Sequence, residues 1–356
     1  MSFVGHRRSV SSDADMAGPP GSDSSAIGGI QSDVDDGDER AYTVEVAENA
    51  TFAKAKVTSI AGIVDTNVPG VVGPSARLQN SCGKIKKADI KLSDIPDAIR
   101  PQFKTHFTPS LLEFVGRLGG WDDPTTDDVI AIWNDTFTDY AVSTSDPRDN
   151  QLVLVIQKLA QDKVDSWRNK LGTAGIAYWK QKFNEKSKDE IIKDVEHYLA
   201  GDDRSRIFYY RDIKVNESGE TKYKGIFQSP GFSRVIAVHC LATAMNGQIG
   251  PLDFAADDRD SWPAGAITLS CHALKRGLNY FRTGKLVIPA APTGNFSRSN
   301  WADRVDFSEG APKLIPSTSA IAAVVNKLKA EHWNKIITAA RAAAIQRDDA
   351  PCGRRY

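Results

Sequence analysis

The chain has 356 residues, of which 41% are hydrophobic and 25% are charged, as in an ordinary globular protein. Its 45 Lys or Arg and 45 Asp or Glu side chains cancel, so net charge draws it toward neither nucleic acid nor an anionic membrane. No run approaches the roughly 18 consecutive apolar residues of a membrane span, so we expect no membrane association.

The four cysteines are widely spaced along the chain. The first residues lack the apolar segment of a secretion signal. We therefore expect reduced thiols in an intracellular protein, in the nucleus or the cytoplasm.

The beginning of the chain differs in composition from the rest. Residues 1–40 are rich in Ser, Gly and Asp and carry eight acidic side chains against three Arg. With so few large apolar side chains, burial cannot offset the entropy of ordering, and we predict disorder. A Gly- and Pro-rich stretch at 69–75 is typical of a linker. We therefore predict an acidic tail and linker at 1–75, a helical globular domain at 88–345 and a flexible C-terminus at 346–356.

Local signals predict where several helices begin. A helix start is predicted at Thr108, with Pro109 in the first turn. Two capping boxes mark further starts. They are Thr125-x-x-Asp128 and Ser187-x-x-Glu190.

The longest helix is predicted to begin at Asp149-Asn150, because apolar residues follow at helical spacing. Gly172 and Gly175 lie well inside this stretch. Glycine is a common cause of helix distortion, so we predict a kink or a break there.

One β-hairpin is predicted in the middle of the chain. Residues 206–215 alternate between apolar and polar, residues 222–227 return, and 216–219 suit the turn. A lone hairpin is marginal in water, so we expect it to lie against helices. The predicted fold class is mainly α, a multi-helix globular domain with one β-hairpin behind a disordered N-terminal tail.

Two helix-like stretches after the hairpin are predicted to form the centre of the fold. Residues 229–245 are apolar on nearly all sides, which is typical of a buried helix. In residues 263–282, apolar residues recur at steps of four and three from Ile267 to Phe281. Polar residues on another face predict that this second helix is only half covered. They are Thr268, His272, Lys275 and Asn279.

The C-terminal part is predicted to be a loop followed by one long helix. Residues 286–316 are rich in Pro and Gly, and Ser317-Thr318 is typical of a helix start. Residues 317–356 carry seven basic side chains against three acidic ones. The exposed side of this last helix is therefore predicted to be basic.

Short motifs in the second half of the chain resemble a known family. They are Phe227-Gln228-Ser229-Pro230-Gly231-Phe232, Val235-Ile236, Gly250, Phe254, Ala266, Leu269, Ala273-Leu274, Leu278-Asn279-Tyr280-Phe281 and Thr283-Gly284. This pattern resembles an uncharacterised helical domain that is common in mushroom-forming (basidiomycete) fungi and catalogued as a domain of unknown function. The resemblance extends back to about residue 95 and implies a helical module behind a variable, disordered tail. It implies a eukaryotic, intracellular setting and no catalytic residues.

Two residue doublets on the central helices contain the side chains that bind zinc. They are His239-Cys240 and Cys271-His272. Neighbouring side chains on a helix point about 100° apart, so both members of a doublet can hardly reach one ion. The spacing is also not that of a zinc finger. We predict buried thiols that act as small apolar groups, with no metal, no cofactor and no catalytic residue at these positions.

The hairpin alternates cations with aromatic rings, a pattern that can stack bases and follow phosphates. The candidate nucleic-acid-binding residues are Arg206, Tyr209, Tyr210, Arg211 and Lys214. Strands also favour Tyr and Phe for packing alone, so a purely structural role stays open.

We favour a non-catalytic interaction or scaffold module with a protein partner of unknown identity. The alternative is a nucleic-acid-associated protein, derived from a mobile element, that uses the hairpin and the basic C-terminal helix. An enzyme of unknown type ranks third, because phosphate-binding glycine motifs and nucleophile motifs are absent from the sequence. The sequence does not indicate an oligomeric state.

Overall fold

The computed structural model describes residues 90–217, 221–245, 262–306 and 312–348. The predictions for the acidic tail and linker at 1–75 and for residues 349–356 lie outside the described residues.

Most of the described residues are helical. The helices are α1 (Arg100–Gln102), α2 (Thr108–Arg117), α3 (Thr126–Thr136), α4 (Asn150–Lys182), α5 (Lys188–Leu199), α6 (Pro230–Ala242), α7 (Ala264–Tyr280), α8 (Arg298–Trp301), α9 (Thr318–Val325) and α10 (Ala330–Asp348). The strands are β1 (Tyr210–Val215), β2 (Thr221–Ile226), β3 (Arg304–Asp306) and β4 (Lys313–Ile315). This confirms the predicted fold class, mainly α with a β-hairpin. Within the described ranges, no helix has the length and apolar character needed to cross a bilayer.

Helix α2 begins at Thr108 with Pro109 in its first turn, as predicted, but Thr108 is not an N-cap, because helical backbone already precedes it. Residues Phe103–Phe107 form a π-helical turn between α1 and α2. The Thr108 hydroxyl donates to the carbonyl oxygen of Phe103 at 2.8 Å. Pro109 has no backbone N–H to donate. The wider π turn before it accommodates the missing hydrogen bond, so the helical segment continues through Pro109. Both capping boxes are confirmed, at the starts of α3 and α5.

The predicted break in α4 is wrong, because the helix runs without interruption through Gly172 and Gly175. Its 33 residues span about 50 Å at the usual helical rise. A Cβ atom at Gly175 would overlap the carbonyl oxygen of Ala273 on α7. The missing side chain therefore allows α4 and α7 to pack closely.

The positions of the two central helices were predicted correctly, but their burial was predicted correctly for only one of them. α6 is buried on nearly all sides, as predicted. α7 is not half covered, because its polar residues Thr268 and His272 are also buried, at 2% and 0% exposure. Thr268 hydrogen-bonds within its own helix, whereas His272 contacts Thr318 of α9. Sequence periodicity cannot distinguish a polar residue in water from one with a partner inside the protein.

The hairpin is confirmed as the antiparallel pair β1 and β2, with Tyr210 opposite Ile226 and Val215 opposite Thr221. Its first strand is shorter than predicted, because residues Ile207–Tyr209 form a 3-10 turn. A second short antiparallel pair, β3 and β4, lies in the stretch that was predicted to be loop.

The prediction of one long C-terminal helix is wrong, since the chain turns between α9 and α10. The backbone N–H of Lys327 bonds to Val324 at 3.1 Å, which tightens the end of α9. The ring nitrogen Nδ1 of His332 then accepts from the backbone N–H of Lys329 at 3.2 Å and helps α10 to begin. α10 reaches Asp348, beyond the predicted domain end at residue 345.

Candidate binding cleft

A cleft of about 220 Å³ lies at the base of the hairpin, where the end of α4, helix α5 and the start of α6 meet. It is lined by Tyr178, Trp179, Lys182, Tyr198, Ile207, Phe208, Tyr210, Arg211, Ile213, Ser229, Pro230, Gly231 and Leu274. Aromatic rings and cations therefore dominate a concave, accessible site.

Three rings from two helices form the α4 side of the cleft. Trp179 is almost fully buried, and its ring N–H donates to the carbonyl oxygen of Leu274 at 3.0 Å. The ring centroids of Tyr178 and Tyr198 lie 4.9 and 5.1 Å from that of Trp179. Both tyrosines are half-buried, so part of each ring is accessible. The fixed indole thus supports two accessible tyrosine rings.

Lys182 places its ammonium group among these rings. Its Nζ lies 4.6 Å from the ring centroid of Tyr198, 5.5 Å from that of Trp179 and 6.0 Å from that of Tyr178. These distances are those of cation–π contacts. Burial lowers the pKa of Lys182, but hydrogen bonding to Tyr198 and the charges around it outweigh burial and raise the pKa. The cleft therefore contains a protonated lysine at neutral pH.

Two arginines add positive charge to the cleft and its border. Arg211 of β1 lines the cleft and contacts Asp212 at 3.0 Å. The Arg234 guanidinium of α6 lies 6.0 Å from the Tyr178 ring centroid and donates to Gln181. No Asp or Glu is among the described lining residues. The arrangement favours an anionic or neutral ligand over a cationic one.

The structure divides the predicted nucleic-acid residues between the interior and the surface. Tyr210 and Arg211 line the cleft, and Lys214 is exposed farther along β1. Arg206 instead bonds to the Asp203 carboxylate at 3.0 and 3.1 Å, and the Tyr209 ring is fully buried. This burial corrects the picture of five contacts on one surface strand.

Asp203 is the centre of a buried polar cluster beside the cleft. Its Oδ2 accepts from the Lys275 ammonium at 2.5 Å and from the Ser317 hydroxyl at 2.7 Å. Burial would raise the pKa of Asp203, but Lys275, Ser317 and Arg206 hold it below its usual value. The carboxylate therefore stays charged and joins the segment before β1 to α7 and to the start of α9.

The same cluster contains a serine beside a lysine, a pair that some hydrolases use as nucleophile and base. The Ser317 hydroxyl lies 3.2 Å from the Lys275 ammonium, but it donates to Asp203. The backbone N–H groups of Ser317 and Ser319 both donate to the Asp303 carboxylate, at 2.6 and 3.2 Å. They are therefore not free to stabilise an oxyanion. These contacts fit a structural connection between elements.

The histidine and cysteine doublets are dispersed in the core. Burial lowers the pKa of His239 to about 4 and that of His272 to about 3. Burial also raises the pKa of Cys240 to about 11 and that of Cys271 well above its ordinary value, so both thiols are neutral and unreactive. In the part of the chain that the structure describes, no three His, Cys, Asp or Glu side chains converge on a possible metal position.

The cleft residues that lie on helices were not among the predicted site residues. Tyr178 and Lys182 are four residues apart on α4, so they share a helix face. That spacing is a signal that can be read from the sequence. The approach of Tyr198 and Arg234 follows from tertiary packing and has no local signal in the sequence.

A second cavity of about 500 Å³ is lined mainly by apolar side chains of α2, α7, α9 and α10, with Arg117 as a cation. Its lining includes Trp262, which directly follows residues 246–261, outside the described ranges. We assign no site there.

No protein-family model, no curated protein and no solved structure matches this chain. Its function is therefore inferred from the contacts, burial and charges of its own residues.

Proposed function

We propose that the protein is a non-catalytic interaction module that binds its partner at the cleft beside the hairpin. The observation that carries this proposal is the position of the Lys182 ammonium among the rings of Tyr178, Trp179 and Tyr198 at an accessible concave surface. Rings and cations that converge in a cleft are the usual means of holding a ligand.

The buried reactive groups support binding over catalysis. Ser317 is bonded to Asp203, and the two buried thiols are held in their neutral form. Accessible charges lie instead at the cleft and along the hairpin. We infer that the protein acts by holding a partner inside the cell, consistent with the setting that the fungal resemblance implies.

A photo-crosslinking experiment tests this proposal. Tyr223 is exposed on β2, with its ring centroid 4.8 Å from that of Tyr210 in the cleft lining. A p-benzoylphenylalanine residue at position 223 should form discrete adducts in living cells. The same residue at position 170, an exposed site on α4, is the matched control and should form none.

The dependence of the adducts on the cleft makes the test specific. Adding Arg211→Glu to the position-223 probe should abolish the adducts, because it reverses a charge in the cleft lining. Adducts of equal yield from positions 223 and 170, or adducts insensitive to Arg211→Glu, would contradict the proposal.

A further inference from the structure

We propose that the ligand of the cleft is single-stranded nucleic acid, with one base against the tyrosine rings and the adjoining phosphates along the hairpin. This inference rests on the proposed function and names the class of partner. It is carried by three features of the described residues, namely the rings, the charges in the cleft and a pair of lysines on the hairpin.

The first feature is the pair of accessible rings. Tyr178 and Tyr198 are half-buried against the fixed indole of Trp179. A base can stack on such rings whatever its identity, because every base has a π-face. The cleft volume of about 220 Å³ suits a single planar group and excludes the end of a duplex. The chain would therefore bind an unpaired base.

The second feature is the position of the cations around the rings. The Lys182 ammonium lies inside the cleft, Arg211 is in its lining and Arg234 lies beside Tyr178. A phosphate next to a stacked base would meet these side chains within the same site. Rings and cations combined in this way are the usual surface for single strands.

The third feature continues the charge away from the cleft. Lys214 and Lys222 lie directly opposite each other across the hairpin, and both are exposed. Like charges at opposed positions destabilise a strand pair, and an anion between them removes the repulsion. Lys224 already has Asp212 opposite it. Lys214 lies about 10 Å along the strand from Arg211 and on the other face of the hairpin, so a strand of nucleic acid that contacts both must cross the edge of the hairpin.

An acidic protein segment is the competing partner, but it explains less. Carboxylates would be attracted by Lys214 and Lys222, yet acidic side chains have no aromatic face to stack on the rings of Tyr178 and Tyr198. The chain as a whole is neutral, so the attraction comes from this local patch.

Fluorescence anisotropy of the full chain with labelled probes tests the inference. The probes are an oligouridine and an oligothymidine of about fifteen nucleotides. A polyglutamate peptide of similar length represents an acidic partner. We expect binding of an oligonucleotide at micromolar protein. Four phosphate contacts predict roughly 50-fold weaker binding when salt rises from about 50 to about 200 mM.

Charge-reversal variants locate the contacts. Lys214→Glu combined with Lys222→Glu should reduce the magnitude of the negative slope of log affinity against log salt by about 1.4, because two phosphate contacts are lost. The matched control is Lys104→Glu combined with Lys170→Glu, two exposed lysines outside the cleft lining. The control should change affinity by no more than about twofold, since the contacts are at the hairpin. Equal losses in both double variants would overturn the inference.

A ring variant and a covalent readout test the stacked base. Tyr198→Leu keeps apolar volume but removes the ring, and it should weaken binding about 5- to 160-fold. If this variant does not fold, 5-bromouridine crosslinking of the unmodified protein gives the answer instead. Adducts should map to peptides that contain Tyr178, Tyr198 or Tyr210, and adducts confined to other peptides would overturn the inference.

The outcomes separate this inference from the proposed function. Failure of both oligonucleotides to bind, while the position-223 adducts persist, would overturn nucleic acid and leave the interaction module intact. Polyglutamate binding as tight as oligonucleotide binding would overturn the nucleic-acid proposal in favour of an acidic protein partner. Loss of both the adducts and the oligonucleotide binding would overturn both proposals.

Discussion

Asp203 shows how one buried carboxylate can determine the arrangement of several elements. It bonds to Arg206 nearby in sequence, and to Lys275 and Ser317, which are 72 and 114 residues away. A buried ion pair adds little net stability over apolar packing, but removing one partner leaves the other charge buried and unpaired. A substitution of Asp203 should therefore lower the free energy of unfolding by more than the net contribution of the ion pair itself.

We predict that Asp203→Asn lowers the free energy of unfolding by roughly 2 to 4 kcal/mol, because Lys275 loses its counter-charge while 20% exposed. Urea denaturation at neutral pH measures this loss. The control is Asp162→Asn, which breaks the exposed pair with Lys158 and should cost less than about 1 kcal/mol. A loss for Asp203→Asn no larger than this control would show that the cluster is not essential to stability.

At the scale of single residues, the sequence indicated chemistry better than environment. Tyr210 and Arg211 were selected for their ring and charge, and both line the cleft. Tyr209 has the same chemistry as Tyr210 but is fully buried, because the 3-10 turn directs it inward. A backbone turn of this kind depends on the surrounding packing and has no strong local signal.

At the scale of elements, the contact between α4 and α7 holds the cleft in place. α4 supplies Tyr178, Trp179 and Lys182, and α7 supplies the Leu274 carbonyl that accepts from the Trp179 ring. The close approach at Gly175 positions these groups. An added side chain there must push the helices apart.

We predict that Gly175→Ala destabilises the protein by about 1 to 3 kcal/mol, although alanine favours a helix over glycine by about 1 kcal/mol. The overlap with the Ala273 carbonyl is the reason. Thr173→Ala, at an exposed site on the same helix, is the control and should be neutral or slightly stabilising. Thermal unfolding of both variants decides the matter, and a more stable Gly175→Ala protein would refute close packing.

Elements with strong local signals were predicted well, and elements that depend on neighbours were not. The capping boxes at Thr125 and Ser187 act within a single turn, so the sequence alone located them. The role of Gly175 depends on a helix about 100 residues away, so the surrounding sequence does not indicate it. The turn between α9 and α10 also depends on local bonds that apolar periodicity does not reveal.

At the scale of the whole molecule, one hydrophobic core extends from Ile90 to Ala340. His239 and His272 are both inside it, on α6 and α7, and both have a pKa below the ordinary value. The unfolded chain therefore binds protons at a higher pH than the folded protein does. The contribution of the two neutral rings to the free energy of unfolding is complete above about pH 6.5. It is lost as the pH falls toward the pKa values of the two histidines in the folded protein.

We predict that each histidine costs roughly 3 kcal/mol of stability by about pH 4. His272→Gln should reduce the slope of unfolding free energy between pH 6 and 4.5 by about 1.4 kcal/mol per pH unit, since one proton is no longer taken up on unfolding. His197→Gln, at an exposed position on α5, changes the number of histidines equally without touching the core. Urea titrations across this pH range measure the slopes, and identical slopes for the two variants would contradict the prediction.

The sequence predicted the helical class, the hairpin and the central helix pair, because each has a periodic or local signature. The cleft combines residues from α4, α5, the hairpin and the start of α6, which no single periodicity connects. Its recognition required the packed structure.

The Lys182 ammonium also makes the cleft selective against some ligands. Tyr178, Trp179 and Tyr198 form the kind of aromatic cage that suits a methylated ammonium group. In this protein the cage already contains a positive charge, so a second cation would meet repulsion where solvent screening is reduced. α4 and α5 therefore supply the rings that attract a ligand, and α4 also supplies the charge that turns positive ligands away.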